Sequence, residues 1–174
     1  MQLNLRRVLI ALVALVAIGG VWSALFAGSD QPKPSADSDK ISGTLVIDFG
    51  KASGKPVETF DYELPSGSTS WDIFNSESIE VEGTQNYPTG FVCRLKDWPT
   101  KADQDCADVP TYNEGSWAYY VTNPEFGDGW FMSGVGAATH TPICGGYEAW
   151  VWIAPGKSAS STLPNFEPAP RGCE

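Results

Sequence analysis

Hydrophobic and polar residues alternate along two neighbouring stretches of the chain, GTLVIDFG (43–50) and VETFDYELP (57–65). In the second stretch Phe60, Tyr62 and Leu64 share one face, and the opposite face is mostly polar. Because side chains alternate along a β-strand with a period of two, each stretch predicts a strand with one buried face. The glycine-containing segment KASGKP (51–56) between them predicts a hairpin.

The spacing of apolar residues becomes helical in STSWDIFNSE (68–77). Ser68 or Ser70 can cap a helix at its N-terminus, and Trp71, Ile73 and Phe74 supply one apolar side. This pattern predicts a short helix that packs across the hairpin.

The rest of the chain is rich in strand-like runs and has no internal repeat. A polar loop covers 99–116, and from Gly156 onward an irregular tail without periodicity is predicted; the strand-like runs are 79–83, 90–98, 115–123, 129–134 and 147–155. This order of elements predicts an α+β fold, a mostly antiparallel sheet with one short helix across it. A β-grasp arrangement fits, as one topology among several.

The first forty residues do not have the pattern of a globular domain. Arg6 and Arg7 precede twenty uncharged residues, 8–27, which are long enough to span a bilayer or to form the core of a signal peptide. Residues 1–28 are therefore expected to be a signal peptide or an N-terminal membrane anchor, and both alternatives stay open. Residues 29–40 are expected to be a flexible polar linker, and 41–174 the folded domain, outside the cytoplasmic membrane.

The net charge of the predicted domain limits the kinds of molecule that it can bind. Residues 41–174 carry seven Lys and Arg against eighteen Asp and Glu, a net charge of −11. Such an acidic domain repels nucleic acid, so nucleic-acid binding is excluded. Contact with the membrane is expected through the N-terminal segment alone, if that segment is not cleaved.

The four cysteines, Cys93, Cys106, Cys144 and Cys173, all lie in the part predicted to be exported. Disulfides are favoured over a metal site, because the chain has no C-x-x-C spacing and no histidine cluster. Four cysteines allow three pairings. We favour Cys93–Cys106, which closes a short polar loop, with Cys144–Cys173, which ties the tail to the loop before the last strand.

The only histidine, His140, lies in the segment GWFMSGVGAATHTPICGGYEAWVW (129–152). A neutral imidazole can be an axial ligand to cobalt or a ligand to another soft metal, and it can also be a catalytic base or a structural residue in a turn. The chain has no G-x-S-x-G, P-loop or H-E-x-x-H motif. A hydrolase would need two acidic groups, or a serine with His140, in one cleft.

Aromatic residues are concentrated in the last three predicted strands. Trp150 and Trp152 should share a face, Tyr119 should share a face with Trp117, and Tyr120 should point the other way. Large flat rings of this kind either fill a core or offer a platform to a flat ligand.

Particular residues resemble a known family. The series is GFVCR (90–94), Cys106, WAYY (117–120), Gly129-Trp130, Gly136-Ala137, Thr141-Pro142, and Glu148 with Trp150. It is similar to secreted actinobacterial domains that themselves resemble the C-terminal β-domain of transcobalamin and intrinsic factor. The resemblance covers about 43–153, implies a β-grasp-like fold, and supports the Cys93–Cys106 pair.

In transcobalamin-type proteins the β-domain closes one side of a corrinoid, and a separate α-barrel, for which 41–174 leaves no room, supplies the other. The resemblance implies a non-enzymatic binding domain that captures or presents a small molecule such as a corrinoid. No cofactor, resident metal or catalytic residue is expected. The expected ligand contacts are Trp117, Tyr119, Trp130, His140 and Trp150. Further expected partners are envelope or transporter proteins. The alternatives are a structural or protein-interaction module of the cell envelope and, behind it, an extracytoplasmic hydrolase.

Overall fold

Seven strands and one short α-helix form in the parts of the chain that the computed structural model describes, residues 40–123, 129–169 and 172. The elements are β1 (Lys40–Asp48), β2 (Glu58–Pro65), α1 (Asp72–Ser76), β3 (Val81–Gly83), β4 (Val92–Leu95), β5 (Ser116–Val121), β6 (Phe131–Met132) and β7 (Gly146–Ile153), with single 3-10 turns at Lys51–Ser53 and Ala159–Ser161. This content, mostly strands with one short helix, is compatible with the predicted α+β class.

The main sheet has five strands in the order β2-β1-β7-β5-β6. β1 and β7 pair in parallel at its centre, with Ile47 opposite Trp150, and the other neighbours are antiparallel. The predicted hairpin is confirmed, since β1 pairs with β2 from Lys40–Pro65 to Ile47–Glu58. β3 and β4 form a separate two-stranded sheet.

One face of the main sheet packs against α1. Ile73 and Phe74 of α1 are buried there, and the Phe74 ring lies 6.0 Å from that of Trp150. The helix is shorter than predicted: Asp72 Oδ2 accepts hydrogen bonds from the backbone N–H and hydroxyl of Thr69 at its start, and Ser78 adopts a positive φ of 53° just after its end. The face is otherwise lined by buried side chains of the strands, Leu45, Ile47, Tyr62, Leu64, Trp117, Tyr119, Trp150 and Trp152.

The opposite face of the sheet is covered by residues 156–169, which we call the tail. Val46, Tyr120 and Val151 point to this side, and Phe166 of the tail packs with them. The tail is irregular, as predicted, but it is packed in place: Asp48 Oδ2 accepts a hydrogen bond from the backbone N–H of Asn165 at 2.8 Å.

A disulfide joins Cys93 of β4 to Cys106, as predicted. Arg94 beside it is buried and donates hydrogen bonds to the Pro99 and Gln104 carbonyls, which fixes the polar loop against β4. Cys144 is also disulfide-bonded, and Cys173, its predicted partner, lies outside the described residues.

Among the residues that the structure describes, no helix is long and apolar enough to cross a membrane. The predicted signal or anchor segment and the linker before residue 40 lie outside the described part of the chain.

Candidate functional site

A buried carboxylate lies at the centre of the sheet. Glu148 is the third residue of β7, points to the same face as Trp150, and is only 2% exposed. Its two oxygens accept hydrogen bonds from two hydroxyl groups, Oε1 from Ser70 at 2.8 Å and Oε2 from Tyr119 at 2.6 Å. Because a buried charge is costly without such donors, these two bonds are what allow the carboxylate to remain in the core.

The loop that carries His140 is tied to the start of α1. The backbone N–H groups of Ser70 and Trp71 donate to the carbonyls of His140 and Ala137, at 3.0 and 3.1 Å. The loop also closes on itself, since the N–H of His140 donates to the Gly136 carbonyl at 3.0 Å. These bonds fix the backbone of the loop that places the His140 imidazole next to Glu148.

The imidazole of His140 directs one nitrogen into this network. Nδ1 lies 2.9 Å from Ser70 Oγ, 3.1 Å from the Tyr119 hydroxyl and 3.7 Å from Glu148 Oε1. The side chain is 18% exposed, and Nε2 makes no hydrogen bond within the described residues. One ring nitrogen is therefore held by the protein and the other is left available.

The number of protons in the network decides which nitrogen carries a hydrogen. A hydroxyl has a single proton, and both Ser70 and Tyr119 donate theirs to Glu148. Their oxygens can then only accept from Nδ1, so Nδ1 is the protonated nitrogen of a neutral His140. Nε2 is left with a lone pair, the form in which imidazole binds metals.

Two tyrosines next to Glu148 are poor acids. Burial, and after it the negative charge of Glu148, raise the pKa of Tyr119 and of Tyr62 well above the ordinary value. Tyr119 therefore remains a hydrogen-bond donor. The Tyr62 hydroxyl is buried, has no hydrogen-bond partner within the described part of the chain, and lies against Gly43, where an added Cβ would come within 2.3 Å of it.

The structure brings three of the five predicted ligand contacts together and separates the other two. Tyr119 stacks on Trp150 with ring centres 4.9 Å apart, and its edge meets His140 at 5.8 Å. Trp117 lies farther along the same face, next to Trp152, and Trp130 packs on the opposite face, where its Nε1 donates to the Phe166 carbonyl. Trp117, Tyr119 and Trp150 are buried, so only His140 and Trp130 are partly accessible.

Ser70, His140 and Glu148 do converge, which is the condition that the hydrolase alternative sets. Their connection differs from that of a catalytic triad, in which the serine and the carboxylate contact different ring nitrogens. Here both lie on the Nδ1 side, Ser70 donates its proton to Glu148, and Ser70 is 2% exposed. This geometry orients the imidazole and gives no substrate access to the serine oxygen.

Sequence reasoning missed the roles of Ser70 and Glu148. Ser70 was a candidate helix cap, but α1 begins after it and its hydroxyl turns into the core. The signal for Glu148 was present: it lies two residues before Trp150 and four before Trp152, so it shares their buried face. An acidic residue in phase with buried tryptophans on a central strand predicts a carboxylate that needs partners.

No family model matches the chain, and no curated protein matches it. Within the described residues no group of three or more His, Cys, Asp and Glu side chains is arranged to hold a metal ion.

Proposed function

We propose that this protein is an exported, non-enzymatic binding domain that captures or presents a small molecule of the corrinoid class, with Nε2 of His140 as the protein's ligand to the metal. The observation that carries the proposal is the network around Nδ1. Histidines that bind metals commonly donate the other ring N–H to a carboxylate or another acceptor, which fixes the tautomer and the ring orientation. Glu148, through Ser70 and Tyr119, supplies that arrangement here.

A site with a single imidazole, His140, favours a metal ion that is already coordinated by the bound molecule. Among the described residues His140 belongs to no group of three or more His, Cys, Asp and Glu side chains that could hold a metal, and one imidazole is too few to hold a bare ion. A corrinoid would hold its cobalt through its own ring, so that a single imidazole, His140, would be enough as the protein's ligand. When bound, it would supply the metal and the flat macrocycle, and this chain would supply the oriented imidazole.

The surface beside His140 is suited to a flat, partly apolar ligand. Val135 and Ile143, in the same loop as His140, are exposed large apolar residues. Tyr87 is also exposed, and its turn meets this loop, since the Gly90 carbonyl lies 3.6 Å from a Cβ built at Gly136. Neighbouring exposed apolar side chains on a soluble domain are typical of an interaction site.

The buried aromatic residues have a supporting role in this proposal. Tyr119 acts as a positioning residue for His140 through its hydroxyl, and the Trp150 ring stacks on that of Tyr119. Trp117 and Trp130 lie away from His140. Their proposed contact with the ligand stays a prediction.

The fold is proposed to be a β-grasp of the transcobalamin C-terminal type. Support comes from the hairpin β1–β2, the following helix on one face, and the parallel pairing of the first and last strands at the centre of the sheet. Of the residues that carry the family resemblance, Glu148 and Trp150 lie in β7, WAYY (117–120) lies in β5, and most of the others lie in loops. Presentation of the ligand to an envelope or transporter protein is the proposed task of this domain.

An extracytoplasmic location is proposed on two grounds. The first is the apolar segment at 8–27 that follows Arg6 and Arg7. The second is the Cys93–Cys106 disulfide, which is compatible with an oxidising compartment. The segment would either be cleaved or keep the domain attached to the outer face of the cytoplasmic membrane.

The test is a titration of the exported, oxidised protein with aquocobalamin and cobinamide, followed by calorimetry and visible absorption. We expect saturable binding with a shift of the cobalt absorption band, and loss of that shift in His140→Ala. Thr141→Ala changes an exposed neighbour in the same loop and keeps the imidazole, so it is the matched control. Glu148→Gln should weaken the band shift, because the amide no longer attracts both hydroxyl protons.

Binding that His140→Ala leaves intact, spectrum included, would contradict the assigned ligand. The absence of both heat and spectral change would favour the alternative of a structural or protein-interaction module. The burial of Trp117, Tyr119 and Trp150 is the observation that favours this second candidate.

A further inference from the structure

A cleft of about 690 Å³ opens at the other end of the central strands, where β1 and β7 finish and the tail crosses. The His140 loop precedes β7, whereas the cleft is lined by Trp152 near the end of β7 and by Leu163 of the tail. The two regions therefore share the sheet but not a surface. A volume of this size is in the range of pockets that bind small molecules.

The charge of the cleft is opposite to that of the domain. Residues 41–174 carry a net charge of −11, yet Lys51, Lys55 and Lys157 all line this cleft. Asp48 is the one acidic residue of its lining, and both of its oxygens accept backbone hydrogen bonds, from Gly50 at 2.9 Å and Asn165 at 2.8 Å. Its negative charge is thus partly compensated.

Two of the three lysines have no side-chain partner among the residues that the structure describes. Lys55 Nζ donates to the Lys96 carbonyl at 2.9 Å and lies over the Phe49 ring. Lys51 and Lys157 are exposed and have neither an ion pair nor a side-chain hydrogen bond within the described residues. They are available to an anion.

The remaining lining is mostly apolar, with Thr162 and Asn165 as its polar residues. Val57, Val151 and Trp152 form part of it, and Leu163 at its edge is 61% exposed. An exposed leucine next to an apolar cleft gains a contact when a ligand covers it. The combination of an apolar lining with free ammonium groups fits a molecule that has both parts.

We propose that this cleft is a second binding site, which takes a small amphipathic organic anion. Its apolar body would lie against Val151, Trp152 and Leu163, and its anionic group would be held by Lys51 and Lys157. The site is independent of the proposed function of His140.

The experiment is equilibrium dialysis of the oxidised protein with 2-naphthoate and with 2-naphthamide, a neutral probe of nearly the same shape. We expect naphthoate to bind at least five-fold more tightly than naphthamide at low salt, and this difference to shrink when salt is raised to 0.5 M, because salt screens the charges. Lys51→Gln with Lys157→Gln should weaken naphthoate binding about ten-fold and leave naphthamide unchanged.

Lys101→Gln removes an exposed lysine outside this cleft and is the control for the loss of a positive charge elsewhere on the surface. Equal affinities for the two probes, a double variant that behaves like Lys101→Gln, or no saturable binding would each overturn the proposal. His140→Ala should bind naphthoate as the unaltered protein does, which separates this site from the corrinoid proposal.

Discussion

At the scale of single residues, Glu148 organises the candidate site. It is an acidic side chain in a row of tryptophans, and the three groups around it, Ser70, Tyr119 and His140, come from three separate parts of the chain. Leaving such a buried carboxylate without one of its donors costs about 1–3 kcal/mol. The network is therefore expected to be rigid, which suits a histidine that has to keep one orientation.

The pKa of Tyr119 gives a prediction for alkaline pH. Its pKa is raised in the folded protein by burial and by Glu148, whereas an unfolded tyrosine ionises near pH 10. Above about pH 10 the unfolded chain loses the proton first, so this contribution to stability is complete below pH 10 and is lost as the pH rises. One such group changes the free energy of unfolding by about 1.4 kcal/mol per pH unit.

We expect Tyr119→Phe to reduce the fall in unfolding free energy between pH 9.5 and 11, as measured by urea denaturation. Tyr87→Phe, which removes an exposed phenol, is the control. A slope with pH that is the same in Tyr119→Phe and in the control would show that Tyr119 does not cause the loss.

At the scale of elements, the tail covers the face of the main sheet opposite to α1. The Tyr120 hydroxyl, near the end of β5, lies 2.6 and 2.5 Å from the carbonyl oxygens of Ala159 and Thr162 and shares its one proton between them. Trp130 makes a similar bond to the Phe166 carbonyl at 2.7 Å. An irregular segment can thus be held as firmly as a strand, through side chains that supply the missing donors.

Tyr120→Phe removes the donor for two tail carbonyls and keeps the ring. We expect the free energy of unfolding to fall by about 1 kcal/mol. If the tail opens locally, trypsin should also cut after Lys157 about five-fold faster. Tyr87→Phe, which removes the hydroxyl of an exposed ring that makes no hydrogen bond to the tail within the described residues, is the control. Equal cleavage rates in the two variants would show that Tyr120 does not hold the tail.

At the scale of the whole molecule, local patterns in the sequence predicted the hairpin, the helix position and the shared face of Trp150 and Trp152. These depend on side chains close together in the chain. The Glu148 network could not be predicted in the same way, because Ser70 and His140 are seventy residues apart and meet only once β7 lies next to β1. The apolar residues of the tail have no periodicity, so its packing on the main sheet could not be predicted from the sequence either.

Removal of the Cys93–Cys106 disulfide measures how far the stability of the polar loop depends on a covalent link. The bond closes a loop with a sequence separation of 13. For a loop of this length the loss of chain entropy in the unfolded state predicts about 3 kcal/mol of stabilisation. We expect Cys93→Ala with Cys106→Ala to lower the free energy of unfolding by that amount in urea, with Cys144 left unchanged.

A loss below about 1 kcal/mol would mean that Arg94, through its bonds to Pro99 and Gln104, holds the loop without the disulfide.

The strand order also determines when the chain can fold as it is synthesised. β7 lies between β1 and β5, so a growing chain that ends before residue 146 can form the β1–β2 hairpin and the β5–β6 pair, but nothing joins them into one sheet. Pairings between residues as distant as Gly43 and Gly146 form slowly. We therefore expect the nascent chain to lack its complete five-stranded sheet until β7 has emerged.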